Sequence, residues 1–111
     1  MTGSEIYNRA IVSLGYADDQ IFKNKAVVVI NQIYDDLYPA VEGIEYKPIK
    51  SLGDRVNLPE RVLSGAMVYG VAERLALGEG DGELQQYFAQ QFDRAKARLN
   101  RVDRVADVMP R

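Results

Sequence analysis

Cysteine and histidine are both missing from this chain of 111 residues. Without cysteine there is no disulfide, no thiolate nucleophile and no cysteine-ligated zinc. Without histidine the usual proton shuttle near neutral pH and the commonest metal ligand are gone. Ser-His-Asp and Cys-His catalysis fall together. Ser-Lys catalysis would survive the loss, but Ser4, Ser13, Ser51 and Ser64 have no lysine three residues on. A charge excess is missing as well: 14 Lys and Arg stand against 16 Asp and Glu, a formal net charge of -2, which gives no global electrostatic case for nucleic acid. Long apolar runs are also absent. The longest uncharged stretch, residues 62–72, is far short of the ~20 residues a membrane-spanning helix needs. The first residues, Met1-Thr2-Gly3-Ser4-Glu5, lack the basic start and apolar core of a signal peptide, so an intracellular protein is the expectation.

What is present suits one folded domain. Hydrophobic residues make up 47% of the chain, too many for wholesale disorder. A chain of this length buries roughly two thirds of its unfolded surface, so no covalent or metal staple is required.

Periodicity points to helices. Thr2 and Glu5 fit a capping box, after which Ile6, Ala10, Ile11 and Leu14 recur at helical spacing until Gly15. Asp18-Asp19 offers a second start signal, followed by Phe22, Ala26, Ile30, Ile33, Tyr34 and Leu37, with Pro39 closing the run. The segment Ala26-Val27-Val28-Val29-Ile30 has strand propensity, but the helical stripe continues past it with no turn signal between. Residues 39–58 carry Gly43, Pro48 and Gly53 and show no helical period, which predicts a long irregular loop or a short strand or hairpin. A connection of that length is often a functional loop or one ordered by a partner, making Ile44, Tyr46 and Ile49 candidate contact residues. Leu58-Pro59-Glu60 opens a third helix, with proline in the first turn and an acid near the positive end of the dipole. Its uncharged run predicts burial on more than one side, and Gly65 and Gly70 are read as close-packing positions. Gly78 to Glu83 reads as a tight turn in which Asp81 caps a fourth helix bearing Leu84, Phe88, Phe92, Ala95, Leu99 and Val102. The predicted fold is mainly α: four helices in residues 1–101, a long loop between helices 2 and 3, and a flexible tail over 102–111.

Chemistry is harder to find. The pairs Asp18-Asp19 and Asp35-Asp36 sit on neighbouring positions, which point ~100° apart on a helix and do not converge on one atom. Capping and solvated-face roles are expected of them. The acidic turn at 78–83 matches neither a calcium loop nor a phosphate-binding loop. Charge distribution says more. Residues 1–45 hold three Lys and Arg against seven Asp and Glu, whereas residues 93–111 hold six against three. Arg94, Arg98 and Arg101 recur on one side of the fourth helix, away from its apolar stripe, and suit phosphates, an acidic protein surface or a solvated face near a helix C-terminus. At the end of the chain Val102, Val105, Val108 and Met109 alternate with charges, a pattern for a segment that docks on a partner or frays.

Taken together, the chain resembles the small head-to-tail connector proteins (adaptor or head-completion proteins) of tailed bacteriophages. The residues that carry the resemblance are Ala10-Ile11-Val12-Ser13-Leu14-Gly15, Leu52-Gly53-Asp54-Arg55-Val56-Asn57-Leu58-Pro59-Glu60 and Val68-Tyr69-Gly70-Val71-Ala72-Glu73-Arg74-Leu75-Ala76. The Gly80-Asp81 turn and the Tyr87-Phe88 helix with its basic end complete it. The resemblance spans nearly the whole chain and contains no catalytic signature.

That resemblance implies a non-enzymatic, α-helical virion protein without cofactor or metal. Its copies would form a homo-oligomeric ring beneath the portal, extend the DNA channel and support a stopper or tail-completion protein. The implied location is the virion neck, and the host cytoplasm during assembly, with DNA only as passing cargo and no membrane partner. Arg94, Arg98 and Arg101 then become candidates for the channel or an intersubunit face, and Val102, Val105, Val108 and Met109 for portal docking. The alternative from another class is a small helical DNA-binding or regulatory protein using the basic fourth helix. A clear helix-turn-helix spacing is missing for it. An enzyme working through carboxylates and a bound metal ranks last.

Overall fold

A computed structural model describes the backbone of residues 1–108 and the side chains of residues 1–99. The first helix, α1 (Gly3–Leu14), begins at the capping box: the Glu5 amide donates to Thr2 Oγ1 at 3.3 Å and the Thr2 amide to Glu5 Oε1 at 3.1 Å. It ends at Gly15, whose φ of 73° only glycine adopts without steric cost. In α2 (Gln20–Leu37), Asp19 accepts the Ile21 amide at 3.0 Å. A short 3-10 turn, Tyr38–Ala40, follows at Pro39. The third helix, α3, is assembled from an α-turn at Glu60–Val62, a π-helical segment at Leu63–Met67 and an α-helix at Val68–Gly78. Last comes α4 (Gly82–Val108), started by Asp81, whose Oδ1 accepts the Leu84 amide at 3.3 Å.

The helices alternate in direction. The start of α1 lies beside the loop that leads into α3, with the Gly3 amide donating to Asp54 O at 3.0 Å, the Ser4 amide to Leu52 O at 2.8 Å and the Val56 amide to Met1 O at 3.1 Å. At the opposite end Tyr16, just past α1, donates its hydroxyl to Asp81 Oδ2 at 3.0 Å in the α3–α4 turn. Lys96 of α4 meets Asp36 near the end of α2 at 2.7 Å. The protein is therefore a four-helix bundle in which α3 packs on the other three. Its uncharged run is buried as expected: Val62, Leu63, Ala66, Met67, Val68, Val71 and Ala72 are each at most 4% exposed. Gly70 is where the bundle is tightest. A Cβ there would come within 2.8 Å of Ile33 Cγ2 and 3.0 Å of Phe92 Cδ1, so α2 and α4 both close on bare backbone.

The long loop is irregular, as expected, and the alternative of a short strand or hairpin is not realised among the described residues; one isolated antiparallel bridge joins Thr2 to Arg55. The loop is instead tied to its own core. Asn31 pairs with the Ile49 peptide on both sides, Nδ2 donating to Ile49 O at 2.9 Å and Oδ1 accepting the Ile49 amide at 2.9 Å. The buried Tyr34 hydroxyl accepts the Lys47 amide at 3.1 Å and lies 3.3 Å from Glu45 O, to which it donates. Tyr46 stacks on Tyr38 at 4.8 Å and meets Tyr34 edge-on at 4.7 Å. The contact role expected for Ile49 is thereby corrected, because its side chain is 4% exposed and belongs to the core. Ile44 and Tyr46 are half-buried against that core.

Candidate functional site

Most of α3 is buried, and Arg61, Ser64, Gly65 and Tyr69 form a partly open stripe along its first half, with Arg74 and Leu77 exposed nearer its end. The π-helical segment sits beneath this stripe, where an inserted residue widens the turn, a feature often found at functional positions. Two shallow grooves flank the stripe. The first, about 230 Å3, lies between α3 and α4; Arg61 and Arg98 stand over a floor of Val62, Ala66 and Leu99. The second, about 420 Å3, lies between α1 and α3 with Arg9, Val12 and Val68 in its walls. Tyr69 is the wall they share. Its ring is 6.4 Å from that of buried Phe88 on α4, which meets Tyr87 edge-on at 5.0 Å.

The close-packing role expected of Gly65 does not hold. A Cβ at Gly65 would meet nothing within 4 Å, unlike one at Gly70. The glycine opens the first groove rather than admitting a neighbouring helix.

Electrostatically the face is cationic. Arg9, Arg61 and Arg98 are all exposed, and among the described residues none of the three takes part in an ion pair. Val12, which shares the second groove with Arg9, is 79% exposed. Guanidinium forks suit carboxylates or phosphates bidentately, and the apolar floor suits a hydrophobic side chain presented with them. The chemistry on offer is recognition.

No protein-family model, curated protein or solved structure matches the chain.

The residues singled out from sequence fall unevenly on this face. Arg98 lines the first groove. Arg94 is exposed one turn earlier and lies outside that lining. Arg101, Val102, Val105, Val108 and Met109 lie outside the described side chains. Arg9, Val12, Arg61 and Tyr69 were missed. The available signal was the spacing of Arg61, Gly65 and Tyr69 at four-residue steps, which places them on one side of a helix whose residues 62–72 carry no charge.

Asp18, Asp54 and Asp81 are occupied structurally. Asp18 accepts the Tyr7 hydroxyl at 2.9 Å and lies 3.4 Å from Lys23 Nζ. Burial, reinforced by Asp18, pushes the Tyr7 hydroxyl up to about 12. Burial and the bond to Asp81 likewise raise Tyr16. Asp54 is held below the usual carboxylate range by the amides of Lys50 and Ser51, which donate to its Oδ2 at 2.8 and 3.1 Å. Among the described residues no group of three or more acidic side chains is placed to hold a metal, and no helix is long and apolar enough to cross a membrane.

Proposed function

We propose that the chain is a non-enzymatic structural protein of a tailed-bacteriophage head–tail connector, acting through protein–protein contacts beneath the portal. The observation that carries this reading is the open face around Tyr69, where Arg9, Arg61, Arg98 and exposed Val12 line two shallow grooves. Such a surface suits a protein partner with mixed acidic and apolar character better than an enclosed small molecule. The resemblance in residues 52–60 and 68–76 supplies the class of assembly, and these two stretches form the loop that ties down α1 and the central helix of the bundle. In this role the ring encircles passing DNA, a stopper or tail-completion protein binds its far side, and residues 102–111 dock on the portal.

Mixing the protein with its cognate portal and imaging the product by electron microscopy is the test. A ring seated on the portal is the expected result; neither ring nor portal complex at any concentration would sink the proposal. A second reading, duplex DNA binding, is favoured by the exposure of Arg94 and Arg98 on successive turns of α4. Its signature would be salt-dependent duplex affinity that collapses in Arg94→Ala and Arg98→Ala variants.

A further inference from the structure

The two ends of the bundle carry complementary surfaces. One end bears the groove of Arg61 and Arg98, with an apolar floor and an unfilled space above Gly65. The other bears the α3–α4 turn, where Leu77 is 56% exposed and Glu79 and Glu83 of the same turn are exposed as well. Among the described residues neither glutamate takes part in an ion pair. Asp81 of the same turn is engaged by Tyr16 and by capping, so it is the two glutamates that face outward. An apolar side chain flanked by carboxylates is the ligand chemistry that two guanidiniums over an apolar floor select.

We infer that the Arg61–Arg98 groove receives the Leu77–Glu79–Glu83 turn of a second copy of this chain, head to tail. Leu77 fills the space above Gly65, and Glu79 and Glu83 pair with Arg61 and Arg98. A chain cannot satisfy its own groove, because Arg61 and Leu77 lie 16 residues apart on α3, about 24 Å along the axis at 1.5 Å per residue. The two surfaces differ, so the contact is heterologous and propagates from copy to copy, closing into a ring where the rotation permits. This deepens the connector reading and rests on it for the ring itself; it identifies which surfaces meet.

A charge-swap experiment on the full chain tests the contact. The first variant, Arg61→Glu with Arg98→Glu, reverses the groove; the second, Glu79→Arg with Glu83→Arg, reverses the turn. Circular dichroism establishes that each is folded, and sedimentation velocity measures association over a concentration series. Each variant alone should associate at least ten-fold more weakly than the unaltered protein, and an equimolar mixture should recover association, since every groove then meets a turn of opposite charge. Leu77→Asp and Gly65→Leu, which remove the plug and fill its space, should weaken association similarly without loss of helicity. Association unchanged by the reversals, or a mixture no better than either variant alone, overturns the inference. If unaltered and groove-reversed proteins seat equally well on the portal, the contact is wrong while the connector reading stands. If the unaltered protein neither self-associates nor joins the portal, both fall. Self-association with the expected swap behaviour but no portal complex keeps the contact and removes the connector reading.

Discussion

Gly65 and Gly70 occupy the same helix five residues apart, yet alanine should act on them with opposite sign. At Gly70 the added methyl would stand 2.8 Å from Ile33 Cγ2 and 3.0 Å from both Ile33 Cδ1 and Phe92 Cδ1. Ile33 is 1% exposed and has no room to turn away, so α2 or α4 must shift. Overpacking of this kind costs about 1 to 3 kcal/mol. Alanine also gains up to about 1 kcal/mol over glycine in a helix, which offsets part of that cost. At Gly65 the methyl meets nothing within 4 Å, leaving only the gain. Subtracting one variant from the other removes the shared propensity contribution and leaves the steric cost alone, about 1 to 3 kcal/mol. For a chain of this size each kcal/mol moves Tm by roughly 4 °C, so the two variants should melt roughly 4 to 12 °C apart. Urea unfolding followed by circular dichroism gives the free energies directly, with an unchanged m value showing that only stability has moved. Equal stabilities for Gly65→Ala and Gly70→Ala would refute the close approach of α2 and α4 at Gly70.

Three further outcomes are expected. Tyr7 is neutral in the fold up to about pH 12, whereas in the unfolded chain it ionises near pH 10, so its contribution is complete below pH 10 and is lost as pH rises toward 12. Alkaline unfolding curves should show a loss of up to about 3 kcal/mol from Tyr7 across that window, and in Tyr7→Phe the slope should shrink to what the raised Tyr16 and Tyr46 hydroxyls leave. Replacing Asn31 with Ala leaves the Ile49 peptide without either partner; a cost of about 1 to 3 kcal/mol and faster proteolysis within residues 41–58 should follow, and an unchanged cleavage pattern would contradict the anchoring. Deleting residues 102–111 should spare the fold but weaken portal binding. Unchanged affinity on a surface sensor would remove that segment from the mechanism.

The bundle was legible in the sequence because its determinants are local. Thr2 with Glu5, Asp19, Asp81 and the glycine at position 15 all act within one turn of where they stand, and each does in the structure what its type and position announce. The burial of the uncharged run in α3 was equally readable. What could not be read was the loop, whose conformation is set by Asn31 and Tyr34 reaching across from α2 at sequence distances of 11 to 23 residues. An asparagine amide that copies a peptide's hydrogen bonds leaves no periodic trace. The candidate face was half visible. Arg98 stood out through charge on α4, while Arg61 looked like an ordinary first-turn residue and Arg9 like a solvated one. Only the packing of α1 and α4 on either side of Tyr69 brings the three to one surface. Gly65 shows the same limit from the other side: two glycines of similar local sequence differ entirely in what surrounds them.

The pairing of Thr2 with Arg55 has a consequence for the order in which the chain can be finished. The first turn of α1 leaves the ribosome early, but the backbone that receives Gly3 and Ser4 lies about 50 residues later and follows by roughly 3 to 10 s at ordinary rates of synthesis. Through that interval Ile6, Tyr7 and Ala10 have no α3 to cover them. Until residues 52–56 are made, the backbone bonds that fix the start of α1 cannot form, and its apolar face waits for α3.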